Sequence, residues 1–159
     1  MSKVNFVNGD ATNPIGEGNK IIVHVCNDIG GWGKGFVLAL SKKWKQPEIE
    51  YRKWHKSQEG FDLGKVQLVQ VEDDIWVANL IGQHKIRRDQ NGEPPIRYSA
   101  IKLGIVAVHR HAKELNASVH MPRIGCGLAG GEWNQIQPIL DHELGVFNIP
   151  TTVYDYDES

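Results

Sequence analysis

The sequence has few of the residues that mark metal-bound or disulfide-bonded proteins. Its 159 residues include two cysteines, Cys26 and Cys126, and neither belongs to a CxxC pair or to a closely spaced Cys/His cluster. A disulfide scaffold and a structural zinc site both need cysteines in closer groups, so neither is expected. We therefore predict a site that works without a bound metal and without a cofactor.

Long apolar runs and a strong net charge are also missing. No apolar stretch approaches the roughly 20 residues that a membrane-spanning helix needs, so no membrane partner is expected. The formal net charge is −1 and the sequence pI is near 6.6, which excludes an overall basic surface for long nucleic acid. With 40% hydrophobic residues, we predict a single cytoplasmic domain over residues 1–159 that is monomeric.

Glycine, by contrast, is concentrated in two turns. Residues 27–35 read NDIGGWGKG and residues 123–131 read RIGCGLAGG. Each turn follows an apolar segment typical of a strand and precedes a segment typical of a helix. Glycine lets bare backbone N–H groups approach an anion closely, because it has no Cβ. Two such turns in one small domain predict a ligand that carries a diphosphate.

Strand-like and helix-like segments alternate along the chain, which predicts a three-layer α/β/α domain with a mixed central sheet. Strands are predicted over residues 4–7, 20–26, 66–71, 75–81, 118–121 and 151–154. Helices are predicted over residues 36–44, 48–56, 101–115 and 132–144, and a polar loop over residues 83–95. Ligands of such sheets lie beyond the carboxyl ends of the strands, so Asp10, both glycine turns and the polar loop should meet at one cleft.

Neither glycine turn is a familiar nucleotide motif. Lys34 is followed by Gly35, so the GxxxxGK[ST] pattern of a Walker ATPase is absent. The GxGxxG pattern does occur at residues 125–130, but late in the chain rather than after the first strand. A dinucleotide-dependent dehydrogenase is therefore not favoured.

Three uncommon strings lead to a family resemblance. They are Asn8-Gly9-Asp10-Ala11, then His24-Val25-Cys26-Asn27 running into Gly31-Trp32-Gly33-Lys34-Gly35, then residues 121–131, MPRIGCGLAGG. In this order they resemble the macro domain over essentially the whole chain. The resemblance is closest to the branch that holds the fungal ADP-ribose 1″-phosphate phosphatase and the terminal ADP-ribose protein glycohydrolase.

The resemblance implies that ADP-ribose or a derivative is the ligand. Asp10, with Ala11 nearby, would accept from the adenine amino group, and Tyr154 would stack on adenine. The second turn would wrap the diphosphate, and the first turn would enclose the distal ribose. The implied binding residues of these turns and of the polar loop are Gly31, Trp32, Gly33, Gly35, Gln83, Arg123, Gly125, Cys126, Gly127, Leu128, Ala129 and Gly130.

The same resemblance implies a reaction. The glycohydrolase branch acts with a lysine and an aspartate, but the matching positions here are at or next to Gln83 and at Ala129. Hydrolysis of ADP-ribose 1″-phosphate is therefore preferred. His24 would act as general acid or base, Asn27 would position the ribose hydroxyls or a water, and Lys34 would stabilise charge near the departing phosphate.

Simpler interpretations of these residues stay open. Without the resemblance, Asp10 and Asn27 are ordinary turn residues, His24 is a core histidine, and Lys34 is a solvated lysine. The protein could instead be a non-catalytic reader of ADP-ribosylated protein or nucleic-acid ends, or a mono-ADP-ribosyl hydrolase that lacks the lysine/aspartate pair. Arginines 87, 88 and 97 would then contact the carrier, or form a solvated face.

Overall fold

A computed structural model describes residues 4–156 and contains a six-stranded sheet with the strand order β1-β6-β5-β2-β4-β3. The β3–β4 hairpin is antiparallel and the other neighbouring strands are parallel. The predicted mixed sheet is confirmed. The strands are β1 Val4–Asn8, β2 Lys20–Asn27, β3 Val66–Glu72, β4 Ile75–Gln83, β5 Ser118–Met121 and β6 Thr151–Asp155.

Helices cover both faces of this sheet, as predicted. They are α1 Phe36–Lys43, α2 Gln46–Ser57, α3 Tyr98–Leu115 and α4 Trp133–Glu143, with a short 3-10 helix at Gly145–Phe147. The central strand β2 is apolar on both sides because Ile21 and Val23 pack with α3 and α4, while Ile22 packs with α1 and α2. None of the helices within residues 4–156 combines the length and the apolar character needed to cross a membrane.

Helix α2 begins two residues earlier than the sequence predicts. The prediction places a break at Pro47 and starts the helix at residue 48, whereas α2 starts at Gln46 and holds Pro47 in its first turn. Proline is tolerated there because the first N–H groups of a helix have no partner within the helix. Strand β4 extends to Gln83, where a single antiparallel bridge to Ile96 prolongs the pairing.

All five parallel strands present their carboxyl ends at one edge of the sheet. Asn8 at the end of β1 pairs with Asp155 of β6, and Asn27 at the end of β2 pairs with Gln83 of β4. The segments that follow these strands therefore start side by side. This edge carries both glycine turns, as predicted.

Candidate functional site: a cleft between two glycine turns

The first glycine turn is held in shape by the side chain of Asn27. Its Oδ1 accepts hydrogen bonds from the N–H groups of Ile29 (3.1 Å) and Gly31 (2.9 Å). The Tyr51 hydroxyl donates to the Asn27 carbonyl at 2.6 Å and lies 2.9 Å from Oδ1. Nδ2 of Asn27 donates to the Gly31 carbonyl at 3.0 Å. The amide thus holds the turn in shape, and because Asn27 also lines a cavity beside the turn, its predicted role in positioning ribose hydroxyls or a water stays a prediction. Asn27 positions the turn.

The same turn delivers the chain into helix α1. Gly35 is the residue before the helix and has φ 82° and ψ −144°, a conformation that is essentially restricted to glycine. No side chain caps the helix at this residue. The first N–H groups of α1 are therefore open to an anion.

The second glycine turn is closed by its own backbone. The Gly131 N–H donates to the Gly125 carbonyl at 2.7 Å, and the Gly130 N–H donates to the Gly127 carbonyl at 3.0 Å. The Ala129 carbonyl accepts from the Ile96 N–H at 3.1 Å, which ties the polar loop to this turn. Gly125 has φ +74°, so the backbone here needs glycine.

Two adjoining cavities lie between the turns. The first cavity has a volume of about 270 Å³, and the second a volume of about 400 Å³. The predicted residues that line the first cavity are His24, Lys34, Gly35, Gln83, Arg123, Gly125, Gly127, Leu128 and Ala129. Those that line the second are Asn27, Gly31, Trp32, Gly33, Lys34, Gln83 and Leu128. Because the two cavities share lining residues, they form one cleft.

Asp10 lies outside both cavities, although it starts at the same edge of the sheet. Its Oδ1 accepts from the Thr12 N–H at 2.8 Å and from the Thr12 hydroxyl at 2.7 Å. Both bonds fall on one carboxylate oxygen, so Oδ2 stays available as an acceptor for a ligand. Ala11 next to it is buried, and Cys126 and Gly130 of the second turn also lie outside the two cavities.

Tyr154 does not offer its ring to a ligand. Its side chain is buried, with 2% of the residue exposed. Its hydroxyl lies 2.7 Å from Nδ1 of His120 and accepts from the Ile15 N–H at 3.0 Å. The predicted stacking of Tyr154 on adenine is therefore wrong, because a covered ring has no face for a base. Tyr154 instead supports the loop that carries Asp10.

His24 lines the first cavity and yet is 2% exposed. Its ring packs edge-on against Trp32, with 5.2 Å between ring centroids, and its Nε2 lies 2.5 Å from Oδ1 of Asn79. Burial lowers the pKa of His24 from 6.5 to about 4, against a smaller opposing effect of the Asn79 hydrogen bond. His24 is therefore neutral at pH 7 and is both a core residue and part of the cleft wall.

The positively charged side chains of the cleft differ in whether a carboxylate already forms an ion pair with them. The Arg123 guanidinium makes a bidentate ion pair with Asp155 at 2.7 and 3.0 Å and lies over the rings of Phe6 and Trp133. Lys34 and Arg87 are exposed, line the second cavity, and have no carboxylate partner within residues 4–156. An anionic group of a ligand in the second cavity would lie near the side chains of Lys34 and Arg87. The described part of the chain holds no group of three metal-ligating side chains.

Asp28 shapes the cleft and was missed by sequence reasoning. Its Oδ1 accepts from the Lys85 N–H at 2.7 Å, and its Oδ2 pairs with Nδ1 of His84 at 2.6 Å. Asp28 thereby joins the first turn to the polar loop. No spacing rule pairs positions that are 56 residues apart, so only its place inside the glycine turn hinted at a role.

Comparison with known proteins identifies the family to which a chain with this fold and cleft belongs. The chain belongs to the macrodomain family. It is 51% identical to a macrodomain protein from Streptomyces coelicolor, whose structure matches over 97% of this chain and 99% of that chain with a TM-score of 0.86. No family model matches the sequence.

Particular relatives differ in length and name. Chromodomain-helicase-DNA-binding protein 1-like from Mus musculus is 32% identical over 99% of this chain, but the chain spans only 18% of that relative. The ADP-ribose 1″-phosphate phosphatase of Meyerozyma guilliermondii is 22% identical over 94% of this chain and 98% of its own length. Thermosipho africanus DarTG in complex with ADP-ribose is 20% identical over 87% of this chain and 38% of that chain, with a TM-score of 0.70, and this likeness concerns the fold.

Proposed function

We propose that the protein binds ADP-ribose in the cleft between the two glycine turns. The observation that carries this proposal is the pairing of two backbone turns across two joined cavities at the carboxyl edge of the sheet. The second turn provides N–H groups for the diphosphate, and the second cavity takes the distal ribose. Asp10, with its free Oδ2, takes the adenine amino group. Thermosipho africanus DarTG, which shares this fold, is in complex with ADP-ribose, and this supports ADP-ribose as the ligand.

We further propose that the bound substrate is ADP-ribose 1″-phosphate, which water hydrolyses to ADP-ribose and phosphate. The fungal phosphatases that resemble this chain support the reaction. Lys34 lines both cavities and is exposed, so its ammonium group can reach a phosphate on the distal ribose. The resembling glycohydrolases act with a lysine whose position falls at or next to Gln83 and an aspartate whose position is Ala129, and neither of these side chains can replace that pair.

Phosphate release tests this reaction directly. Purified protein is incubated with ADP-ribose 1″-phosphate and free phosphate is measured over time, with and without a chelator. We expect release by the wild type, and a roughly tenfold slower release by Lys34→Ala, because the variant loses one charge that stabilises the transition state. The matched control is Lys42→Ala on helix α1, outside both cavities, which should keep the wild-type rate.

The absence of phosphate release would favour a second candidate function, a non-catalytic reader of ADP-ribosylated protein or nucleic-acid ends. A third cavity, of about 650 Å³, adjoins the second one and is lined by the polar loop, with Ile86 and Arg87 shared between them. A carrier attached to the distal ribose would leave the cleft past Arg87. Arg88 and Arg97 donate to backbone carbonyls inside the loop, so they stabilise the loop.

The third possibility is a mono-ADP-ribosyl hydrolase that acts without the lysine/aspartate pair. It predicts that free ADP-ribose appears from a modified protein or nucleic acid while no phosphate appears from ADP-ribose 1″-phosphate. Separate assays with the two substrates therefore distinguish the phosphatase, the mono-ADP-ribosyl hydrolase and the reader. If neither product is released but ADP-ribose still binds, the non-catalytic reader is the remaining function.

Trp32 provides a spectroscopic probe of the cleft. It lines the second cavity, and its Nε1 donates to the Ser41 hydroxyl at 2.8 Å, so the indole is held in one position. We expect ADP-ribose to change the tryptophan emission of the wild type and to leave that of Trp32→Phe nearly unchanged. An equal change in both proteins would place the responding tryptophan elsewhere.

A further inference from the structure

Asn79 and His24 face each other inside the sheet. Asn79 lies on β4 in register with His24 on β2, and it is fully buried, with 0% exposed. Because the two strands hold this pair at adjacent positions, their side chains are forced into contact. The protonation of the histidine then depends on which end of the amide it meets.

The orientation of the Asn79 amide is fixed by its other neighbours. Its Nδ2 donates to the Pro47 carbonyl at 3.1 Å and to Oε1 of Gln67 at 3.0 Å. A backbone carbonyl can only accept, so the nitrogen must lie on that side. Oδ1 is left to face Nε2 of His24 at 2.5 Å, and since Oδ1 has no hydrogen, Nε2 must carry the proton.

A nearby thiol does not change this assignment. Sγ of Cys26 lies 3.7 Å from the same Nε2 and could in principle donate to it. That arrangement would leave Nε2 unprotonated and place its lone pair against Oδ1 of Asn79 at hydrogen-bond distance, which is repulsive. The Cys26 sulfur therefore lies beside an N–H group that points at Asn79.

The neutral ring consequently has one bare acceptor, Nδ1. This atom is buried and has no hydrogen-bond partner within residues 4–156. A buried acceptor without a partner is unfavourable, so its retention needs an explanation. The His24 ring forms part of the wall of the first cavity beside Phe36. Nδ1 itself is buried, so a donor bound in that cavity would satisfy the atom after a small shift of the wall.

We infer that Asn79 is a positioning residue, which holds His24 in the Nε2–H tautomer so that Nδ1 accepts a hydrogen bond from a hydroxyl of the bound ligand or from a water that the ligand orders. The part about the ligand rests on the proposed function. The tautomer itself does not, because it follows from contacts within the sheet. In this tautomer the donor of His24 is used by Asn79, and Nδ1 is left as its free acceptor.

Nitrogen NMR tests both parts. Protein labelled with ¹⁵N is examined at pH 7, and the His24 signals are assigned by comparison with His24→Gln. We expect Nε2 to show the shift of a protonated nitrogen and Nδ1 that of an unprotonated one. Saturating ADP-ribose should then move the Nδ1 signal in the direction of a hydrogen-bonded acceptor. A protonated Nδ1 in the free protein would overturn the inference.

Variants sharpen the test. Asn79→Ala removes the acceptor and should give a mixture of both tautomers, whereas the matched control Gln67→Ala keeps the Pro47 anchor and should retain the Nε2–H form. If Asn79→Ala does not fold, the spectra of the wild type and of Gln67→Ala still show which nitrogen of His24 carries the proton. ADP-ribose that binds without moving the Nδ1 signal contradicts the ligand contact alone. Failure of ADP-ribose to bind at all contradicts the proposed function and leaves the tautomer to be judged by itself.

Discussion

Gly131→Ala is expected to weaken ADP-ribose binding at least about 100-fold, a loss of roughly 2.7 kcal/mol. A Cβ at this position would overlap the Gly125 carbonyl oxygen, which accepts the hydrogen bond that closes the second turn. Cδ1 of Ile96 would be equally close, but that side chain can move aside whereas the backbone oxygen cannot, so the turn itself must open. Its N–H groups would then no longer converge on the diphosphate. Calorimetric titration of the variant with ADP-ribose measures the loss.

Two controls separate a deformed turn from a protein that is merely less stable. Val108→Ala removes a buried methyl pair on α3, in the core that packs α3 against the sheet, and costs stability without touching the cleft. It should bind ADP-ribose like the wild type. Gly127→Ala adds a Cβ in the same turn where no protein atom lies within 4 Å, so the fold should stay intact, and a change in its affinity would report on the first cavity that Gly127 lines. Wild-type affinity in Gly131→Ala would contradict the proposed use of the turn.

Acid is expected to destabilise the fold well above the pH at which carboxylates titrate. Burial lowers the pKa values of His24 and His120 to about 4, from 6.5 for a free histidine. Between these two pH values the unfolded chain binds more protons than the folded one, so stability falls as the pH decreases from 6.5 to 4. Each histidine contributes a loss of about 2 kcal/mol by pH 5 and about 3 kcal/mol in total.

Urea unfolding at pH 7 and pH 5 measures this loss. We expect the wild type to lose about 4 kcal/mol between the two conditions, a large part of the 5–15 kcal/mol that stabilises a typical domain. His120→Gln, which lies away from the cleft, should lose about half as much, because only one buried imidazole remains of the two. His142→Gln on the surface of α4 should behave like the wild type. A wild-type loss below about 1 kcal/mol would show that the two histidines are not held neutral by the fold.

The sequence was sufficient for the strands and for the location of the cleft. Strand β2 is predictable because an apolar run covered on both faces has few alternatives, and the β3–β4 hairpin follows from strict alternation around three acidic residues. Glycine marks the two turns because Gly35 and Gly125 have positive φ angles, which other residues rarely adopt. Since parallel strands end at one edge, the meeting of the two turns follows from the order of the elements.

The chemistry of individual side chains could not be predicted in the same way. The bond from His24 to Asn79 joins residues 55 positions apart on adjacent strands, and neither residue carries a local signal of it. The resemblance and its strand-end position predict Tyr154 against adenine, but the loop that contains Ile15 holds its hydroxyl and the side chain is buried. Asn27 similarly ends a strand, and only the three-dimensional turn shows that its amide bonds within the protein. The local sequence pattern predicts where a residue lies in the fold. Contacts between residues far apart in the chain determine which polar groups remain free to bind a ligand.

The central claim is that the cleft between the glycine turns binds ADP-ribose, and calorimetric titration of the wild-type protein with ADP-ribose tests it most directly. The account predicts saturable binding at a single site, which Gly131→Ala abolishes or weakens and Val108→Ala preserves. A wild-type protein that is folded and gives no binding heat at several temperatures would contradict it. Equal binding by the wild type and Gly131→Ala would contradict the placement of the diphosphate against the second turn.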